Sequence, residues 1–140
     1  MFESIREYYY RKIAEMDLKQ KWKGLLNQLS RHLLEFASEG RDWIRRRLLE
    51  DSEEYLHQVN VKCSWANHLN EEVLKIRSRI ISDISYKDKY KSDIYDLKKL
   101  LESIRLFIIT SVNIVPYSGI DDLNLLVHKI DTYISTGCYE

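Results

Sequence analysis

Apolar residues recur along this chain every three or four positions almost from end to end, the period at which a helix presents one face. Phe2, Ile5, Tyr9, Ile13 and Met16 begin the series at spacings of 3, 4, 4 and 3. Such a stripe calls for burial on one side, so it predicts a first helix packed on the rest of the fold. The phase then breaks. Asp17 with Gln20 reads as a capping box, and a second helix is expected to carry Leu18, Trp22, Leu25, Leu29, Leu33 and Phe36. Ser38-Glu39-Gly40 would close it, since glycine suits a helix C-terminus. A short third helix over 41–50 would hold Trp43, Ile44 and Leu48, and Asp51 with Glu54 offers the cap after it.

From Ser52 the stripe runs through Tyr55, Val59, Cys63, Ala66, Leu69, Val73, Ile76 and Ile80 to Ile84 with no proline or glycine, which predicts one long helix. Residues 57–67 are rich in β-branched and short polar side chains of poor helix propensity, so a break near Asn60 is the competing reading. Tyr86, Tyr90, Ile94, Leu97, Leu101, Ile104 and Ile108 form the next stripe, ending before Pro116. Residues 106–115 are apolar on nearly every side. They are expected at the bundle axis or a subunit contact, with a buried strand as the alternative. Ser118 with Asp121 would cap a last helix bearing Ile120, Leu123, Val127, Ile130 and Ile134, closed at Thr136-Gly137. The sum is an all-α protein: a compact bundle of five or six mostly antiparallel helices, one of them long and central, in a single domain over 1–140.

Composition sharpens this picture. Four glycines and one proline among 140 residues leave little for turns and bulges, as a helical chain requires. Basic and acidic residues number 22 each, so no bulk field draws a polyanion or an anionic membrane. The longest uncharged run, 106–120, is interrupted by Asn113, Pro116 and Gly119 and is too short to span a bilayer. No apolar signal-peptide segment follows the start, and Cys63 and Cys138 have neither metal nor redox spacing. A cytoplasmic protein with free thiols is expected.

The segment RDWIRRRLLEDSEE, 41–54, could be a nucleic-acid surface or an ordinary helix face. Asp42 with Arg46, Arg46 with Glu50, and Arg47 with Asp51 are opposite charges four residues apart, and 39–54 holds four arginines against six acids. The expectation is a solvated, ion-paired face, with Trp43 and Arg45 as candidates for a protein contact. A second basic run places Lys19, Lys21 and Lys23 around Trp22, which lies on the apolar stripe. Together with Arg45, Arg46 and Arg47 these lysines mark where RNA or DNA would bind, the disfavoured alternative.

The triplet Tyr8-Tyr9-Tyr10 cannot all lie in one stripe, because consecutive helical residues stand 100° apart. Tyr9 falls between Ile5 and Ile13, so Tyr8 and Tyr10 are the candidates to face outwards, against a neighbouring helix end or a partner. No nucleophile motif, HExxH or phosphate-binding loop is present, and Glu54 with His57 is a lone ExxH where a di-iron bundle needs two. His57 and His68 are too far apart along a straight helix, about 16 Å, to share an ion with Cys63. Glu35 and Glu39 stand one turn apart without any sign of a cleft. The expected function is therefore a non-catalytic protein-interaction module of regulatory, adaptor or inhibitor type, acting on a protein partner or on itself. No catalytic residue, metal, cofactor or small-molecule substrate is expected.

Overall fold

The computed structural model describes residues 4–138, which form four helices: α1 (Ile5–Arg47), α2 (Glu53–Asp83), α3 (Lys87–Ser111) and α4 (Ile120–Thr136). No strand occurs among the described residues, and none of their helices is long and apolar enough to cross a membrane. Each helix packs on the next and α4 closes back on α1, while the diagonal pairs stay apart at the backbone. Hydrogen bonds between Trp43 and Tyr55, Ser30 and Asn70, and Glu15 and Ser85 show α1 and α2 antiparallel, because numbers rise on one as they fall on the other.

The bundle has four helices rather than five or six because the first three predicted segments are one helix of 43 residues, about 64 Å long. The hydrogen-bond ladder does not depend on which face is apolar, so a change of phase at Asp17 need not end it. No cap forms there, and the first helix is capped at Ser4 instead. Ser4 Oγ accepts from the Glu7 amide at 3.2 Å and Glu7 Oε2 accepts from the Ser4 amide at 3.2 Å, a complete capping box. Phe2, the first member of the predicted stripe, lies outside the described residues.

Gly40 does not end the helix either. It lies buried inside α1, where a Cβ would stand 2.4 Å from Cys63 Sγ and 3.4 Å from Val115 Cγ1. The residue is small because α2 and the α3–α4 connection press on α1 at that point. The helix stops at Arg47, and α2 starts from Ser52, whose Oγ accepts from the Tyr55 amide, rather than from an Asp51 and Glu54 pair. No break occurs at Asn60; α2 is continuous over 31 residues, yet α1 is the longer helix.

Residues 106–115 depart from expectation in a second way. They are helical only to Ser111, and α3 is amphipathic there: Ile104, Phe107, Ile108 and Ser111 face inwards, while Leu106, Ile109 and Val112 are exposed. The helix is thus one wall of the bundle and not its axis. Ser118 does not cap α4; its hydroxyl donates to Glu39 Oε1 at 2.8 Å and pins the connection to α1.

The buried side chains form one continuous cluster, with Phe36 against Phe107 at 4.7 Å and Trp65 against Phe107 at 5.3 Å between ring centres. Two of the polar groups inside it are matched across the bundle. Trp22 Nε1 donates to Tyr90 Oη at 2.8 Å, and Tyr90 Oη donates to the Cys138 carbonyl. These bonds hold α1, α3 and the end of α4 at one level.

Candidate protein-docking surface

That level also marks where α1 leaves its neighbours. Glu15 Oε2 accepts from Ser85 Oγ at 3.1 Å, just past the end of α2, so residues 5–14 continue about 15 Å beyond the helix that α1 packs on most. This arm carries the stripe that the pattern assigned to the core. Ile5 is 77% exposed, Tyr9 61%, Ile13 54% and Met16 64%.

Geometry explains why. At 100° per residue, Ile5, Tyr9, Ile13 and Met16 fall within an arc of about 80°, and the buried series from Leu18 to Phe36 lies roughly 150° further round the same helix. The two stripes are separate faces of α1, and the bundle covers only the one that starts at Leu18. Arg11, Ala14 and Glu15 at the base of the arm line, with Leu18, Ile84 and Tyr90, a cleft of about 250 Å³ against the bundle.

The tyrosines extend this surface. All three are exposed, Tyr9 included, contrary to the expectation that it would be covered. Tyr8 and Tyr9 meet edge to face with centres 6.0 Å apart. Cations ride on their rings: Arg6 lies 5.9 Å from the Tyr10 centre, Arg11 and Lys12 each 5.6 Å from that of Tyr8. Such a mixture of aromatic area, hydroxyl tips and arginine is the composition of binding patches.

The other candidates are placed differently. Trp43 is half-buried; its Nε1 donates to Tyr55 Oη at 3.1 Å, and the Arg47 guanidinium lies 4.2 Å from its ring centre. Its capacity is largely used inside the molecule. Arg45 pairs with Asp42 at 3.3 Å, while Arg47 takes both Glu50 at 3.0 Å and Asp51 at 3.9 Å. Arg47 with Asp51 is the expected pair, whereas the two expected for Arg46 are replaced, one residue away, by Arg45 with Asp42 and Arg47 with Glu50. Arg46 sits over the Trp43 ring instead.

Lys19 and Lys23 are half-buried and Lys21 lies 5.5 Å over the Tyr133 ring, so the three lysines spread round α1. They stand roughly 35 Å from Arg45, Arg46 and Arg47 along the axis, and the two groups do not merge into one basic track.

The two cysteines are committed to packing. Cys63 and Cys138 are buried free thiols, and burial pushes both up from the ordinary thiol range. His57 and His68 are exposed on α2 while Cys63 faces the core, and no cluster of three metal-ligating side chains occurs among the described residues. Tyr117 Oη lies 2.8 Å from His32 Nδ1 and donates to Glu35 Oε2 at 3.1 Å, and burial, then Glu35, raises its pKa. That constellation fastens the α3–α4 connection to α1.

The residues that sequence reasoning missed are Ile5, Tyr9, Ile13 and Met16 as surface. The signal was present in the jump of phase between Met16 and Leu18 with no glycine or proline to end a helix there. No family model matches the chain, and no curated protein or solved structure matches it significantly.

Proposed function

We propose that this chain is a non-catalytic protein-interaction module whose docking element is the α1 arm, residues 5–16. One observation carries the reading: a helix continuous with the bundle presents Ile5, Tyr9, Ile13 and Met16 to solvent on the face turned away from its own core, with Tyr8 and Tyr10 exposed on the flanks. Scattered exposed apolar residues mean little, but a contiguous stripe on one projecting element marks a contact surface. An amphipathic helix of this kind docks by its i, i+4, i+8 and i+11 positions on another helix or in an apolar groove. A regulatory, adaptor or inhibitor role follows from occlusion or bridging, neither of which needs chemistry.

Exchange of Tyr9→Glu together with Ile13→Glu tests this. Neither side chain is part of the core, so the folded bundle is retained, as circular dichroism and thermal unfolding will verify. Immobilised wild-type and variant chains are then compared by quantitative mass spectrometry for what each retains from a cell extract, further copies of the chain included. Loss of retained protein by about tenfold or more is expected, the scale of removing a central contact. Equal retention by both chains refutes the reading. The alternative, a nucleic-acid accessory protein using Lys19, Lys21, Lys23 and Arg45 to Arg47, gains nothing from the separation and ion pairing of those groups.

A further inference from the structure

We infer that the occupant of the arm is the arm of a second copy of this chain, running antiparallel; the inference rests on the docking reading above and names its partner. The stripe has nearly the same spacing from either end, 4, 4, 3 forwards and 3, 4, 4 backwards. A second arm laid antiparallel and centred near residue 11 therefore sets Ile5 against Met16 of the other copy and Tyr9 against Ile13, twice over. The contact uses the same patch on both chains, so it closes as a dimer and does not propagate.

Charge fits the same register. Arg6 and Asp17 lie on one flank of the stripe, within about 20° of each other round the helix. In the antiparallel pair like flanks meet, and Arg6 of one copy comes level with Asp17 of the other to within about 2 Å along the axis. Two opposite-charge pairs then line one flank of the seam, while on the other flank the two copies of Lys12, each 3.4 Å from its own Glu15, come within about 3 Å of level.

The residues beyond Met16 disfavour parallel pairing. The same face of α1 continues as Gln20, Lys23, Asn27 and Arg31, all polar. A parallel copy would set Lys23 against Lys23 and Arg31 against Arg31, like charges directly opposed. An antiparallel copy brings its capped helix start, Ser4, only to the level of Leu18, short of Lys23 and Arg31. Each bundle also hangs from the far face of its own arm, so the two do not collide.

Sedimentation velocity over a concentration series is expected to show a monomer–dimer equilibrium, weakened about tenfold or more by Tyr9→Glu with Ile13→Glu. Arg6→Glu weakens it, and adding Asp17→Arg restores it. Within one chain these positions are eleven residues apart, about 16 Å, too far to compensate each other. Direction is read by disulfide trapping. An Ile5→Cys chain mixed with a Met16→Cys chain gives the cross-linked heterodimer, and neither chain alone cross-links. Self-cross-linking of each chain alone would mean parallel pairing and overturn the inference. A monomer at every concentration also overturns it. If such a monomer still retains another protein through Tyr9 and Ile13, only the choice of partner has failed; if it retains nothing, the docking reading falls as well.

Discussion

Residues 5–16 and 18–36 belong to one unbroken helix, carry apolar side chains at the same intervals, and meet opposite fates. Leu29, Leu33 and Phe36 have no exposed surface, whereas Ile5, Tyr9, Ile13 and Met16 are more than half exposed. Period alone does not distinguish them. What differs is phase, since the two stripes point about 150° apart, and the neighbouring helices cover only one direction. A periodic stripe measures which side of a helix is apolar. It does not say whether the chain itself supplies the cover.

The largest consequence is for stability. Leu29→Ala leaves a cavity in the fully buried cluster and is expected to cost about 2–5 kcal/mol. Ile13→Ala, at an equally apolar residue about four turns earlier, should change stability by less than about 0.5 kcal/mol at concentrations where the chain is monomeric. Urea unfolding of both variants checks the contrast. Similar losses in the two would mean that the arm folds back on the bundle.

Two glycines of α1 divide in the same manner, with a smaller effect. Gly24 has nothing within 4 Å of a would-be Cβ, so Gly24→Ala is expected to stabilise by up to about 1 kcal/mol through helix propensity. At Gly40 propensity favours alanine equally, but the methyl would meet Cys63 Sγ at 2.4 Å, and overpacking costs about 1–3 kcal/mol. Gly40→Ala should therefore destabilise, and Cys63→Ala should recover part of the loss. A double-mutant cycle on thermal midpoints decides it.

These cases show what was legible in the sequence. The class of fold followed from the period and from the scarcity of glycine and proline, and the buried faces of α2 and α4 are those the stripes marked. Helix ends were less readable. Asp17, Gly40 and Ser118 each have the chemistry of a terminus, but tertiary contacts decide whether it is used: Ser118 spends its hydroxyl on Glu39, and Gly40 gives its space to Cys63 and Val115. Ser4 with Glu7 was a true signal that went unread. The arm was half legible, because Tyr8 and Tyr10 had to face outwards while Tyr9 fell in a stripe that called for cover. Nothing in a single helix pattern could tell that α2 ends beside Glu15.

Charged groups repeat the division between covered and uncovered. Asp17 on the arm is exposed, whereas Asp93 is buried between α2 and α3, with Arg79 Nη2 2.8 Å from its Oδ1 and no hydrogen-bond partner for Oδ2 among the described residues. Burial, aided by Asp83, holds the Asp93 carboxyl above the ordinary aspartate range, with Arg79 opposing. The protonated form is thus favoured on folding. This group destabilises the fold as pH rises from the ordinary aspartate range through its raised pKa, and the contribution is complete above that value. Asp93→Asn is expected to raise the thermal midpoint at neutral pH, to change it little in acid, and so to flatten the pH profile on that side.

The smallest effect concerns how the arm stays helical without tertiary cover. An isolated helix of a dozen residues is marginal in water because its first turn is costly to nucleate. Here the bundle-bound part of α1 supplies the nucleus, and the arm only propagates it towards Ser4. Its end is then held by the capping box and by short-range pairs such as Lys12 with Glu15, 3.4 Å apart. Ser4→Ala removes one half of the box, a loss of about 1 kcal/mol, or roughly fivefold in the equilibrium of the first turn. Hydrogen exchange should therefore quicken about fivefold at the amides of Tyr8 and Tyr9, whose bonds close that turn, and stay unchanged in α2 and α3. The global urea midpoint should not move, because fraying ends where Glu15 meets Ser85. A shift in that midpoint as large as the local loss would show the arm and the bundle to be one cooperative unit, and the contrast between the two halves of α1 would then be one of exposure without independence.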